Sequence, residues 1–167
     1  RHLCFAIGDV SGKGVPASLF MAVTRTLLRA KAFSCLDTGR IIAEMNKDLC
    51  ADNGAMMFVT FFLCILDIGG GGIVYTNAGH NPPFILRKDG KLEPLNKKHG
   101  TPLGVDDSQS YGADSVRLEK GDSIVLYTDG VTEAFDAGGR LYEEAGLTKS
   151  MLKAGGLKPE DAIKLIY

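Results

Sequence analysis

The chain has 167 residues, of which 45% are hydrophobic and 23% are charged, as is usual for one globular domain with a real core. Its formal net charge of −1 provides no general field that would attract nucleic acid or an anionic membrane surface, so neither partner is expected. No segment approaches the roughly 20 consecutive apolar residues that a membrane span requires.

The first part of the chain predicts one strand followed by two helices. Residues 3–7 form a short apolar run that suits a buried strand, and the glycine-rich residues 8–14 are predicted as a loop. Pro16 fits the first turn of an amphipathic helix, which is followed by a second helix with Thr38 as its N-cap. The apolar residues at helical spacing in that second helix are Ile41, Ile42, Met45 and Leu49.

The middle of the chain predicts six or so strands in hairpins, and its end predicts two more helices. Runs of β-branched and aromatic residues are separated by glycine-containing turns, which is typical of antiparallel pairs. The predicted pairs are 56–68 with 73–78, two strands within 84–95 around Asp89-Gly90, and two within 111–128 around Lys120-Gly121; the helices are predicted near 142–154 and 159–167.

This order of elements indicates the α+β class. Strands joined by tight turns are antiparallel, and helices grouped before and after the strands argue against a parallel α/β sheet. Residues 1–167 are therefore expected to form a single domain. Because the chain begins inside a strand-like pattern without Met and ends inside a helix-like one, we expect it to be a piece of a longer protein.

The cysteine pattern predicts thiols and no zinc site. No two of the four cysteines have CxxC spacing, and three of them lie in apolar runs, which favours buried free thiols in a reducing, cytoplasmic compartment. The four are Cys4, Cys35, Cys50 and Cys64.

The loop "IGDVSGKGVPAS", residues 7–18, has the composition of either a phosphate-binding or a metal-binding loop. A Walker A loop requires four residues between its first glycine and the Gly-Lys pair, followed by Ser or Thr. Here Gly8 and Gly12 enclose only three residues, and Lys13 is followed by Gly14. A dinucleotide-binding fingerprint also fails because the predicted topology is not βαβ.

Two aspartates favour the metal interpretation. Asp9 comes just after the first strand-like run, and Asp129 stands just after the run 124–128 and before Gly130. Carboxylates that end two strands can converge at one rim of a sheet, and Mg²⁺ and Mn²⁺ prefer oxygen ligands, including a main-chain carbonyl such as that of Val10. Taken alone, each aspartate is more typical of a turn or a helix cap than of a metal ligand, and composition and spacing do not decide between the two interpretations.

Four segments in order resemble the SpoIIE/RsbU-type branch of the metal-dependent Ser/Thr protein phosphatases, the PPM family. They are "IGDVSGKGVPASLFMA", "TNAGHNPPFIL", "GTPLGV" and "GDSIVLYTDGVTEAFD", and the likeness extends over nearly the whole chain. The resemblance implies an α-β-β-α sandwich, in which two antiparallel sheets pack face to face with helices outside. This is compatible with the predicted order of elements.

The resemblance also implies a site and a reaction. Asp9 matches the family's bridging carboxylate, Val10 the residue that gives its main-chain carbonyl, and Asp129 a further ligand of a two-metal site for Mn²⁺ or Mg²⁺. These metals would activate a water that attacks the phosphorus without a phosphoenzyme. The implied substrate is a phosphoserine or phosphothreonine on a small STAS-type anti-sigma antagonist, in bacterial sigma-factor signalling.

The family pattern departs from this chain at both ends. A preceding "GGDYYD"-like segment and a closing "DD-I-T"-like strand contribute metal ligands in the family, and neither is present here. We therefore expect this piece, taken as truncated, to bind metal weakly and to associate through an unpaired sheet edge, as a homodimer or with a partner chain. The alternative function is a non-catalytic interaction domain. The family implies an N-terminal sensor or receiver domain in the parent protein.

The remaining polar candidates have ordinary structural interpretations. His80 in "NAGHNPP" is predicted to shape a turn, with a general-acid role as the alternative. Lys13 is expected to be solvated, and Asp106 and Asp107 to be loop acids, with a metal role for the two aspartates as the alternative. The aromatic residues Phe58, Phe61 and Phe62 are expected to be core or sheet-face residues and not a base-stacking platform.

Overall fold

The predicted α+β class is confirmed. The computed structural model describes residues 1–135 and 138–165, which form two antiparallel sheets and flanking helices. In chain order the elements of these residues are β1 (His2–Val10), α1 (Val15–Ala32), α2 (Thr38–Ala51), β2 (Val59–Asp67), β3 (Gly72–Ala78), β4 (Phe84–Leu86), β5 (Leu92–Pro94), β6 (Asp114–Arg117), β7 (Ser123–Val125), α3 (Asp129–Thr132), α4 (Glu143–Lys153) and α5 (Pro159–Ile163).

The chain divides into two structural units. The first unit comprises Arg1–His80 and Lys97–Arg117, and it holds α1, α2 and a four-stranded sheet in the order β1-β2-β3-β6. The second comprises Asn81–Asn96 and the chain from Leu118 onward, and it holds α3, α4, α5 and a three-stranded sheet in the order β5-β4-β7. That residues 1–167 form one domain stays a prediction.

The core of the first unit lies between α2 and one face of the sheet. All four apolar residues predicted for one face of α2 are at most 4% exposed, because their helical spacing turns them toward the same side. They pack against the odd-numbered side chains of β2, which lie on one face of the strand: Val59, Phe61, Leu63 and Ile65. Even-numbered β2 residues therefore face the opposite side of the sheet, away from α2.

The N-cap of α2 was predicted one residue too late. Asp37, not Thr38, caps the helix, because the Asp37 carboxylate accepts the backbone N–H of Arg40 at 3.0 Å. Thr38 is the first helical residue, and its buried hydroxyl accepts a hydrogen bond from Thr76 of β3 at 2.9 Å.

Two strand predictions need correction. Residues 8–10, predicted as loop, are the last three residues of β1, because pairing with β2 continues as far as Val10 opposite Val59. β6 and β7 do not form a hairpin with each other: β6 pairs with β3, and β7 pairs with β4. The intervening turn instead bonds to the start of the β4–β5 loop, where Asp122 accepts the backbone N–H of Lys88 at 2.9 Å.

The second unit follows the predicted sequence of elements, with one addition. β4 and β5 form the expected hairpin around Asp89-Gly90, and α4 packs Leu147 and Met151 against Phe84 and Tyr127. The four-residue helix α3 was not predicted. The last predicted helix appears as α5, and its predicted end includes residues 166–167, which lie outside the described residues. None of the described helices has both the length and the apolarity needed to span a bilayer.

Candidate metal centre

Asp9 lies at the end of an outer strand with its side chain exposed. In the β1–β2 ladder it is directly opposite Thr60, so both side chains are on the face of the sheet that points away from α2. Glycine is favoured at the preceding position, because a Cβ on Gly8 would lie 2.5 Å from Cδ2 of Phe61 and 2.9 Å from the carbonyl oxygen of Thr60. This close approach holds the backbone of β1 against β2 immediately before Asp9.

The carbonyl of Val10 faces the outer edge of the sheet. Ser11 donates its N–H to the carbonyl of Phe58 at 2.8 Å, so the next pair in the ladder, Val10 with Val59, is of the non-hydrogen-bonded kind. The backbone of Val59 confirms this geometry, since it exchanges hydrogen bonds of 3.0 and 2.9 Å with Leu103 on its other side. The polar groups of Val10 therefore point away from β2, toward the side on which no strand of the described residues pairs with β1.

The loop after Val10 depends on two glycines for its backbone conformation. Gly12 and Gly14 have φ angles of 82° and 80°, and nothing lies within 4 Å of a Cβ added at either position. Glycine is therefore favoured there by the dihedral angle and not by lack of space. The intervening Lys13 is exposed, as predicted.

Asp129 begins α3 in the second unit and does not directly follow a strand. β7 ends at Val125, and Thr128 is the N-cap of α3, so the strand-end position predicted for Asp129 is wrong. The Asp129 carbonyl accepts the backbone N–H of Glu133 at 2.7 Å and the hydroxyl of Thr132 at 3.1 Å. These bonds fix the backbone of Asp129, and its exposed carboxylate belongs to the first turn of α3.

The oxygen atoms that Asp9 and Val10 offer are of the kind that a hard divalent cation binds. Asp9 supplies an exposed carboxylate and Val10 a carbonyl at a sheet edge, and Mn²⁺ and Mg²⁺ take such oxygen ligands. Within residues 1–135 and 138–165, no group of three or more His, Cys, Asp or Glu side chains is placed to hold a metal ion. Asp9 and Asp129 belong to different units, and their convergence stays a prediction.

A polar network next to Asp9 was not predicted from the sequence. The hydroxyl of Thr60 lies 3.3 Å from the carbonyl oxygen of Asp9 and 2.9 Å from Nδ1 of His80. Asn77 holds the backbone of His80 at both polar groups, accepting its N–H at 2.8 Å and donating to its carbonyl at 3.1 Å. His80 therefore shapes the turn after β3, as predicted. It is 1% exposed, which argues against the alternative role as a general acid toward substrate.

The other polar candidates do not contact Asp9 or Val10, and the hydrogen bonds of Asp106 and His99 are structural. Asp106 and Asp107 are exposed loop acids, as predicted, and hydrogen bonds from the hydroxyl and the N–H of Ser108 hold the pKa of Asp106 below its ordinary value. His99 accepts the backbone N–H of Asn77 at Nδ1, so its Nε2–H donates to Asp114.

The apolar candidates are confirmed only in part. Phe61 and Phe62 are buried as expected, whereas Phe58 is exposed. The four thiols are free, but only Cys64 is buried, because Cys4 lies on the exposed outer strand β1 and the other two are half-buried.

Comparison with known proteins identifies a family. The family model described as Stage II sporulation protein E (SpoIIE) matches residues 1–167. Phosphoserine phosphatase RsbU of Bacillus subtilis (strain 168) is 32% identical over 163 residues, covering 97% of this chain and 48% of RsbU. The chain spans about half the length, or less, of the curated relatives it matches.

Two solved structures share the fold across 99% of this chain. The structure of the RsbU and RsbW domains of Rv1364c from Mycobacterium tuberculosis is similar with a TM-score of 0.81 and 25% identity, and 47% of that chain is covered. RsbX in complex with magnesium is similar with a TM-score of 0.75 and 17% identity, with 73% of that chain covered, and at this identity the likeness concerns the fold alone.

Proposed function

The chain belongs to the SpoIIE family, and from this membership we propose that it is a metal-dependent protein phosphatase domain that hydrolyses phosphoserine or phosphothreonine. The observation that carries the proposal is the end of β1, where Asp9 presents an exposed carboxylate and Val10 directs its carbonyl to the sheet edge. The relative RsbU, a phosphoserine phosphatase, supports the choice of reaction.

In this proposal Asp9, Val10 and Asp129 hold Mn²⁺ or Mg²⁺, with two ions in the complete site. A divalent ion there supplies a bound water of lowered pKa and a positive charge beside the phosphoryl oxygens. The contribution of the chain is to fix the ligand atoms: Gly8 permits the close β1–β2 contact, and the ladder holds the peptide after Asp9. Ser, Thr and Cys side chains have no covalent role, since the attacking group is water.

We propose a phosphorylated STAS-type anti-sigma antagonist as the substrate protein, in bacterial sigma-factor signalling in the cytoplasm. The family membership and the similarity to RsbU support this choice. An N-terminal sensor or receiver domain in the full-length protein belongs to the same proposal, and it is supported by the fact that this chain covers only 48% of RsbU.

A second candidate function is a non-catalytic interaction domain that keeps the scaffold without functional metals. The observation in its favour is that the described residues contain no group of three or more side chains placed to hold a metal ion. The two candidates differ in whether the exposed carboxylate of Asp9 has any function that depends on its charge.

Hydrolysis of a phosphoserine peptide by the full-length protein distinguishes them. The phosphatase proposal predicts turnover that requires Mn²⁺ or Mg²⁺ and that falls about 100-fold or more in Asp9→Asn, because a ligand charge worth several kcal/mol in the transition state is removed. Asp52→Asn is the matched control, since Asp52 is an exposed acid at the C-cap of α2. Absence of turnover in the wild-type protein with either metal, or normal turnover by Asp9→Asn, would reject the proposal.

A further inference from the structure

The hydroxyl of Thr60 joins Asp9 to a buried histidine. It has one hydrogen but two polar neighbours, the carbonyl oxygen of Asp9 at 3.3 Å and Nδ1 of His80 at 2.9 Å. A carbonyl can only accept, so a hydrogen bond to Asp9 uses the hydrogen of Thr60. Nδ1 of His80 must then carry a hydrogen of its own and donate it to Thr60.

This arrangement gives the network one direction, from His80 through Thr60 to the carbonyl of Asp9. The opposite arrangement, in which Thr60 donates to an unprotonated Nδ1, leaves the 3.3 Å contact between two oxygens without a hydrogen. In the first arrangement both of these contacts are hydrogen bonds. That arrangement places a hydrogen on Nδ1 of His80, which is a measurable property of the imidazole ring.

The far end of the network is held rigidly. The side chain of Asn77 is fully buried and bonds both backbone groups of His80. The preceding Gly79 has a φ of 74°, and a Cβ there would lie 2.8 Å from the ring of Pro102. A bridge between Gly79 and Phe61 places this turn beside β2, next to Thr60. The imidazole thus has a fixed position from which to hold the threonine hydroxyl.

The near end of the network is the peptide that joins Asp9 to Val10. Its carbonyl oxygen belongs to Asp9, and the peptide joins the Cα atom that bears the Asp9 side chain to the residue whose carbonyl is the second proposed ligand. β1 is an outer strand, so β2 is its sole sheet neighbour in the described chain. A hydroxyl that binds the Asp9 carbonyl from β2 restrains this peptide at the point where the ladder is about to end.

We infer that His80 is a positioning residue, which acts through Thr60 to fix the Asp9–Val10 peptide and thereby the two oxygen ligands that flank it, the Asp9 carboxylate and the Val10 carbonyl. The inference rests on the proposed metal-dependent function. His80 does not touch the substrate in this account, in keeping with its burial. Neighbours that orient a metal ligand commonly change metal affinity about 10- to 100-fold when they are removed.

Mn²⁺ binding to matched variants of the full-length protein tests the inference, measured by titration calorimetry. Thr60→Val keeps the branched shape but removes the hydroxyl, and we expect it to weaken Mn²⁺ binding by about tenfold or more. Thr60→Ser keeps the hydroxyl and should restore binding to within about threefold of wild type. Equal Mn²⁺ affinity in Thr60→Val and wild type would overturn the inference and leave the proposed function intact. Absence of Mn²⁺ binding in the wild-type protein would overturn both.

The ring of His80 provides a second readout that does not depend on metal. In ¹⁵N NMR of histidine-labelled protein, the signal absent from His80→Asn identifies His80, and its Nδ1 should have the shift of a protonated nitrogen. An unprotonated Nδ1 in the wild-type protein would contradict the directed network, even if Thr60→Val failed to fold. His80→Asn should retain more Mn²⁺ affinity than His80→Leu, because its amide can place a donor near the former Nδ1. Equal losses in the two variants would indicate a packing role instead.

Discussion

Replacing Asp122 by asparagine should strongly destabilise the second unit. The side chain of Asp122 is 2% exposed, and its carboxylate accepts the backbone N–H groups of Lys88 and Glu119, both at 2.9 Å, and Nη1 of Arg87 at 2.8 Å. Burial by itself would raise the pKa of Asp122, but these donors together hold it below its ordinary value. The folded protein therefore favours the charged carboxylate.

The size of the effect follows from the count of donors. Asn keeps the volume but replaces one accepting oxygen by an NH₂ group, so at least one of the three donors loses its acceptor where little water can reach it. An unpaired buried donor costs about 1–3 kcal/mol, and a hydrogen bond to a charged group is worth somewhat more than a neutral one. Loss of the hydrogen bond from Arg87 contributes less to this cost, because the Arg87 side chain is 21% exposed and also bonds to Glu93. We expect the free energy of unfolding to fall by about 2–3 kcal/mol.

Urea unfolding at neutral pH measures this loss, with Asp89→Asn as the matched control. Asp89 is exposed in the β4–β5 turn and accepts the N–H of Lys91 at 3.1 Å, so its substitution should cost less than about 0.5 kcal/mol. Equal losses in the two variants would refute the reasoning.

The pH dependence of the same loss has a defined sign. Because the pKa of Asp122 is lowered on folding, its stabilisation is complete above the ordinary carboxyl pKa of about 4 and disappears as the pH falls through the folded-state value. The difference in the free energy of unfolding between wild type and Asp122→Asn should therefore become smaller below about pH 4. A difference that stays constant into strong acid would contradict this account.

Two further predictions concern the first unit. Gly8→Ala should lower the free energy of unfolding by about 1–3 kcal/mol because the new Cβ meets the ring of Phe61, whereas Gly72→Ala, with nothing within 4 Å, should be much milder in the same urea assay. Similar costs for the two glycine variants would contradict the contact. Burial, with a smaller contribution from Cys4, raises the pKa of Cys64 to about 12, so the native thiol should resist iodoacetamide at pH 8 and react in urea. Rapid modification of native Cys64 would show that the thiol is not enclosed.

Features fixed by short-range pattern could be predicted from the sequence. The buried face of α2 follows from apolar residues at helical spacing, and the β4–β5 hairpin follows from an Asp-Gly pair between two apolar runs. The family resemblance rested on the order of four segments, and the SpoIIE family match confirms it.

Features that depend on distant partners could not be predicted in this way. Gly8 and Asp9 are poor strand formers alone, and they are in β1 only because β2 pairs with them. The bond between Thr60 and His80 joins residues 20 positions apart, which no local periodicity indicates. The one local signal is Asn77, three residues before His80, since asparagine commonly bonds to the backbone of a following turn.

The central proposal is that Asp9 and Asp129 are ligands of the same metal ions, and Mn²⁺ titration of the full-length protein tests it most directly. The wild type, Asp9→Asn, Asp129→Asn and the control Asp52→Asn are compared for the number of Mn²⁺ ions bound and their affinity. The account predicts that Asp9→Asn and Asp129→Asn lose the same Mn²⁺-binding event and that Asp52→Asn keeps it, because the two site carboxylates bind the same cation. Wild-type stoichiometry and affinity in Asp129→Asn, beside a clear loss in Asp9→Asn, would contradict a shared site.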